Sequence, residues 1–277
     1  MQKISACVIT YNDEHTVAWS VSSVQWADEV LVVDTGSTDR TLEIAESLGA
    51  RVVRTAAFSG FGDMRNRALE HCTHDWVFSV DADEHCPKPL QDEIKALMGG
   101  EPAHDAYYVP RHNYLMGRWI RGSGWYRDHR TPQLFRKSRF RYTPSLSHEG
   151  HELDSERPPG FTQNVLWHFP FSTLDEVLHK ANLYSSLGAQ APGGERVSMW
   201  GALGHGLWAF LRLYVFKAGF IDGWAGFMIA LSNFEGTFYR YAKRYEKAQG
   251  WGAPPEEPAS ARAPKPVVAS REDVPAG

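Results

Sequence analysis

The chain has 277 residues, a net charge of -4 and a pI near 6.3, enough for one large domain with additions and no electrostatic reason to expect nucleic acid as partner. Three scattered cysteines, Cys7, Cys72 and Cys86, suit neither a disulfide framework nor a zinc knuckle and point to a reducing, cytoplasmic compartment. The opening stretch MQKISACVITYND lacks the apolar run and cleavage site of a secretory signal and reads as a buried strand.

Over the first hundred residues apolar runs alternate with helical patterns, which predicts βαβ units and a mostly parallel, Rossmann-like sheet with helices on both faces. Strands are expected over residues 4–10, 29–33, 51–54 and 75–80, and helices over 14–24, 38–48, 61–72 and 87–97. Ser37 or Thr38 should cap the second helix, and Pro87 should sit in the first turn of the fourth. Asp34 and Asp81 then stand at the C-terminal ends of two strands, the edge where open α/β sheets bind ligands. From residue 105 to 171 the pattern changes to short strands and loops, "DAYYVPRHNYLMG", "PQLFRK", "FRYT" and "NVLWHF", which read as a mixed-sheet extension completing a pocket. Residues 173–190 are helical, 197–249 helical and aromatic, and the Pro/Ala-rich stretch after Gly250 is expected to be disordered.

The stretch "FSVDADEHCP" ends a strand in three acids, Asp81, Asp83 and Glu84. Two carboxylates one residue apart in a turn can point the same way and hold a hard divalent cation whose shell is completed by phosphate oxygens. Such a cation neutralises charge growing on a diphosphate leaving group. The plain alternative is a solvated turn capping the next helix, and Glu84 is read as such a cap. Against it, crowded acids raise one another's pKa and are costly without a compensating cation. In "VITYNDEHTV" and "VVDTGSTDRT", Tyr11 and Asn12 follow strand one, where a ring can stack on a base and an amide can bond a sugar. Taken plainly, the turn from Asp34 to Asp39 is an Asx turn with a cap.

The ordered set T-Y-N-D-E (10–14), D-T-G-S-T-D (34–39), G-D-M-R-N-R-A (62–68) and D-A-D (81–83) resembles the family-2 inverting glycosyltransferases of the GT-A fold. The resemblance implies that Thr10, Tyr11, Asn12 and Glu14 line a nucleoside pocket, that Asp34 meets the base, and that Arg65 approaches the base or diphosphate. It implies that Asp81 faces the ribose or the metal, and that Asp83 ligates Mn2+ or Mg2+. His168, in "VLWHFPF", is either a satisfied core histidine or a group near that metal.

Inversion at an anomeric carbon needs a carboxylate that takes the acceptor hydroxyl's proton. Many members carry it in a Glu-Asp pair, which is missing here. In its place "SLSHEGHEL" follows an L-F-R strand, so Glu149 is the candidate base, His148 its neighbour, and Asp128 in "GWYRDHR" the rival. H-E-G-H lacks the one extra residue that would put two histidines on one helix face as zinc ligands. Gly122 and Gly124 in "RGSGWY" are read as giving the acceptor or donor sugar close access to backbone.

The segment "MWGALGHGLWAFLRLYVFKAGF" has its longest uncharged run over residues 197–211, short of the roughly 20 apolar residues that span a bilayer. It reads as a helix pair in the membrane interface, with Arg240, Lys243, Arg244 and Lys247 available to lipid headgroups, or as a buried hairpin. Together with "WHFPFSTLDEVLHKANLYSS" it is similar to the bacterial lipopolysaccharide-core β-1,4-glucosyltransferases. That resemblance implies transfer of glucose from a UDP-sugar to a lipid-linked saccharide, an inner-core heptose, by an enzyme peripheral on the cytoplasmic face of the inner membrane. The expected division is a GT-A catalytic domain over 1–190, with a nucleotide-sugar half to 100 and an acceptor half after it, then an aromatic helical segment over 195–249 and a tail over 250–277. The alternatives are a scaffold that binds sugar nucleotides without turnover, and a metal-dependent nucleotidyltransferase. The latter usually opens with a glycine-rich basic loop, which "ITYNDEHT" is not.

Overall fold

The computed structural model describes residues 1–55, 61–125, 131–143, 150–190 and 198–250. Its first half runs β1 (Ile4–Thr10), α1 (Val17–Ser23), β2 (Glu29–Asp34), α2 (Thr41–Ser47), β3 (Arg51–Arg54), α3 (Phe61–His71), β4 (Trp76–Asp81), β5 (Glu84–His85) and α4 (Lys88–Gly99). Short strands follow: β6 (Ala106–Tyr108), β7 (Arg111–Leu115), β8 (Arg118–Trp119), β9 (Leu134–Arg136), β10 (Phe140–Tyr142), β11 (His151–Leu153), β12 (Gly160–Phe161) and β13 (Leu166–Phe171). The main sheet is mixed and mostly parallel, in the order β12-β6-β9-β4-β1-β2-β3, with β9 antiparallel to both neighbours. A second sheet, β5-β13-β7-β8, begins just past the acids of β4.

β1 is apolar without alternation because it is central and covered on both faces. Ala6 and Val8 face one core with Val17, Val21, Leu90 and Ile94, whereas Cys7 and Ile9 face another with Met64, Ala68 and Leu69. Helices thus cover both sides, as the βαβ pattern predicts. The first helix starts at Val17 rather than 14, and the second at Thr41 rather than 38. For the second helix the reason is that the residues expected to cap it are tied to the loop after β1. Ser37 Oγ accepts from the Asn12 N–H (2.8 Å), and the Thr38 N–H donates to Asn12 Oδ1 (2.8 Å). The flanking residue of α2 is therefore Arg40, which has no side-chain cap.

After β13 come α5 (Leu174–Gln190), α6 (Met199–Leu211), one wide turn (Arg212–Phe216), one tight turn (Gly219–Asp222) and α7 (Trp224–Gln249). Among the described residues no helix is long and apolar enough to cross a membrane. The helices dock on the second sheet through Leu115, Ile120, Val177, Leu213 and Ile229. The buried Asp222 carboxylate reinforces the joint, accepting from the Arg121 N–H (3.0 Å) and the Gly122 N–H (2.6 Å). Gly122 is needed for this approach, since a Cβ there would lie 2.3 Å from the Ala218 carbonyl oxygen. Its close backbone neighbour is thus the helical extension. Lys243 is likewise not offered to lipid: its ammonium donates to Asn182 Oδ1 (2.7 Å) and to the hydroxyls of Ser185 and Ser186. Arg244 donates to the Gly188 carbonyl (2.7 Å), so these two cations clamp α7 to α5.

A Cβ on Gly226 would sit 1.8 Å from the Gly219 carbonyl oxygen, whereas one on Gly204 meets nothing within 4 Å. Gly226→Ala is expected to lower stability by at least about 2 kcal/mol through overpacking. Gly204→Ala, in an exposed helix interior, should raise it by about 0.5–1 kcal/mol. Urea denaturation of the two variants beside the parent checks both directions.

Candidate active site at the edge of the parallel sheet

Parallel register sets the site. β1 pairs with β2 so that Thr10 lies beside Asp34, and with β4 so that Ile9 lies beside Asp81. The loops after all three strands therefore emerge together at the C-terminal edge. The first is organised by Asp13, whose carboxylate accepts from the Thr10 hydroxyl (2.8 Å) and the Tyr11 N–H (2.9 Å). Burial pushes the Asp13 carboxyl up, and the charge of Asp83 pushes the same way against those bonds. Asn12 takes a left-handed backbone (φ 55°), which asparagine tolerates, and this aims its amide at the second loop. Glu14 accepts from the Arg40 N–H (3.2 Å), another tie between the two loops. Tyr11 remains 60% exposed, its ring open to a ligand.

Asp34 is fully buried, and its carboxylate accepts from the Gly36 N–H (3.1 Å) and the Ser37 N–H (3.0 Å). It builds the Asx turn foreseen as the plain reading. In this structure both carboxylate oxygens are engaged in that turn.

Each acid at the end of β4 meets a cation from a different element. Asp81 pairs with Arg65 of α3 (2.8 Å), Asp83 with His168 of β13 (3.6 Å), and Glu84 with Arg111 of β7 (2.5 Å). Glu84 does not cap α4. Fully buried, it accepts from the Asp81 N–H (2.9 Å), and burial raises its pKa while Arg111 opposes that rise. Mutual elevation of the acids fails for Asp83, whose pKa is held at about 2: burial raises it, but the charge of His168, with those of Lys180 and Arg111, outweighs burial. Burial in turn lowers the His168 pKa, and Asp83 more than reverses that, leaving it above 6.5.

The His168 ring is oriented by Asn113, a buried residue opposite it in the β13–β7 register. Asn113 Nδ2 donates to the Trp125 carbonyl (2.5 Å), which turns Asn113 Oδ1 toward His168 Nδ1 (2.6 Å). Nδ1 then carries the proton, and Nε2 faces the Asp83 carboxylate. Oxygen and imidazole nitrogen, with the other ring nitrogen donated to an amide oxygen, is a donor set that suits a divalent cation as well as a proton. Among the described residues no three His, Cys, Asp or Glu side chains gather into a closed cage. Any cation here would need further ligands from a bound molecule or water.

The structure thus brings together Thr10, Tyr11, Asn12, Glu14, Arg65, Asp81, Asp83 and His168, while Asp34 serves from beneath. Glu149, His148 and Asp128 lie outside the described residues. Asp13, Asn113 and Arg111 were missed. Asp13 stands inside the "TYND" motif and could have been found there, but nothing in sequence tells that residue 113 lies beside 168.

The sequence model described as Glycosyl transferase family 2 matches residues 5–152. The chain is similar to an uncharacterized glycosyltransferase of Rickettsia typhi, 29% identical over 259 residues, 89% of this chain and 88% of that one. It is similar to the lipopolysaccharide core biosynthesis glycosyltransferase LpsC of Rhizobium meliloti, 30% identical over 251 residues, 88% of this chain and 92% of that one. A crystal structure of glucosyl-3-phosphoglycerate synthase from Mycobacterium tuberculosis, in complex with Mn2+, UDP and glucosyl-3-phosphoglycerate, overlaps 41% of this chain and 44% of its own at 28% identity and a TM-score of 0.34.

The Asp83–His168 pair sets a pH window. Asp83, depressed from 3.8, stabilises the fold above that value and loses the contribution as pH falls toward 2; His168, raised above 6.5, contributes below 6.5 and loses it as pH climbs through its raised value. Asp83→Asn should therefore move His168 titration downward in metal-free protein. NMR titration of the imidazole nitrogens reads the shift, and an unmoved midpoint would break the pairing.

Proposed function

The chain belongs to glycosyl transferase family 2, and from that membership we propose that it moves a sugar, glucose in the first instance, from a UDP-sugar to a membrane-anchored glycolipid. It is a glycosyltransferase of the GT-A fold, a mixed and mostly parallel sheet with a C-terminal helical region. The observation that carries the finer reading is the convergence of Asp81, Asp83, Arg65 and His168 where the loops after β1, β2 and β4 meet.

In this reading Tyr11 stacks on the base, while Asn12 and Glu14 hold the two nucleoside loops together over the turn that Asp34 builds. Arg65 approaches the diphosphate beside Asp81. Asp83 and His168 would hold Mn2+ or Mg2+, which when bound supplies positive charge to the departing diphosphate. His168 is kept in the tautomer that leaves Nε2 for the cation by Asn113. Glu149 takes the proton of the acceptor hydroxyl with His148 beside it, and Asp128 is the alternative base.

The lipopolysaccharide-core acceptor is supported by the likeness to LpsC, and the heptose by the sequence resemblance. Membrane association is supported by a run of exposed apolar side chains on the helical extension, including Trp200 (82% exposed), Trp208, Phe216 (68%), Phe220 and Trp224. A monomeric water-soluble surface seldom presents so much large apolar area together. Such a face suits the interface of the inner membrane's cytoplasmic leaflet, with residues 1–190 forming the catalytic unit above it.

Incubation with UDP-glucose, Mn2+ and membrane glycolipid should release UDP and no pyrophosphate. Asp83→Ala is expected to abolish both transfer and the metal-dependent part of UDP binding. Glu149→Gln should leave UDP binding intact while turnover falls roughly 10²- to 10⁴-fold. Near-normal turnover in Glu149→Gln moves the base to Asp128. Calorimetry of UDP with and without Mn2+, beside chromatographic assay of UDP release, separates these outcomes.

A further inference from the structure

A cavity of about 530 Å³ lies between α5 and α7, within the size range of ordinary small-molecule sites. Its middle is apolar, walled by Val177, Ala181 and Tyr184 from α5, Met228 and Ile229 from α7, and Phe171 from β13. Three cations line it, Lys180, Arg240 and Arg244, and among the described lining residues there is no carboxylate. The part-buried Arg240, with Lys180 and Arg244, gives the cavity a positive wall that suits an anion. The arginine is admitted by Gly188, where a Cβ would lie 2.6 Å from Arg240 Cδ.

The cavity reaches the surface on one side and lies near β13 on the other. Leu174 and Tyr184 line it and are also 46% and 44% exposed, so apolar side chains carry the cavity wall out to the surface. Toward the other side, Lys180 donates to the Pro170 carbonyl (3.0 Å), two residues past His168 in β13, and stands 4.9 Å from the centre of the Phe171 ring. A soluble anion needs no apolar walls, and a neutral lipid needs no arginine. An amphiphile carrying both an alkyl chain and an anionic group uses all of these features.

We propose that the α5–α7 cavity binds a phosphate-bearing lipid, its alkyl chain along Val177, Ala181 and Met228 and its anionic group at Arg240. This rests on the membrane-acceptor reading above for the lipid's source, and gives that lipid a seat on the enzyme beside the transfer site. The membrane acceptor then reaches the enzyme partly by withdrawal of its lipid end into protein, and the enzyme prefers anionic over neutral glycolipids.

The test is calorimetric titration of the full chain with dodecyl phosphate below its critical micelle concentration, beside dodecyl maltoside and inorganic phosphate. Dodecyl phosphate should bind at least ten times more tightly than either. Arg240→Gln should weaken it tenfold or more, and Ala181→Trp, which fills the cavity, should abolish it, with UDP and Mn2+ binding unchanged in both. Ser232→Phe, on the opposite wall, fills the same space should Ala181→Trp fail to fold. Equal affinity in parent and variants means adsorption on the exposed aromatic face and overturns the proposal, as does equally tight binding of inorganic phosphate. A protein that turns over UDP-glucose yet ignores dodecyl phosphate sinks this inference alone. One that binds dodecyl phosphate at Arg240 but never releases UDP sinks the transferase reading and leaves the cavity assignment standing.

Discussion

The structure depends on three neighbouring carboxylates at the end of one buried strand, each answered by a cation from elsewhere in the chain. Arg65 comes from α3, Arg111 from β7 and His168 from β13. Negative charge crowded at a sheet edge would resist folding if left alone, because burial removes the water that stabilises it. Here the same charges fasten the second sheet and a flanking helix to the first, so the chemistry of the site and the joint between the two sheets are one set of contacts. A bound cation would enter an arrangement already balanced by the protein, competing with a proton on His168 for the space before Asp83.

The helical extension answers a different constraint. Its inner face is buried against β7 and β13, with Asp222 and two close glycine contacts fixing the angle. Its outer face is left apolar. Of the two expectations, a buried hairpin and an interfacial helix pair, the packing supplies a buried inner face and leaves exposed apolar side chains on the outer one. Clamping α7 to α5 through Lys243 and Arg244 removes two cations from the headgroup role assigned to them, and in doing so frames the cavity between the helices.

Much of the first hundred residues was legible because local pattern and tertiary role agree there. β1 and β3 match the expected residues, β2 runs one residue longer, and β4 is shifted by one residue. Where structure and local pattern part, groups expected to serve the nearest helix are used at a distance: the Ser37 hydroxyl and the Thr38 N–H meet Asn12, and Glu84 meets Arg111. His168 was left open between core and site, and only its register partner Asn113 gives it a direction.

The order of apolar runs and the acids that end them determined, from sequence alone, a parallel sheet and the edge at which its chemistry gathers, because strand burial and the C-terminal placement of loops follow from pattern. Tertiary structure alone decided which cation answers which acid, that Asp34 lies beneath the site, and that a cavity separates α5 from α7. Those facts join residues up to about a hundred positions apart, and no local periodicity carries the distance between side chains that meet only when sheets and helices pack.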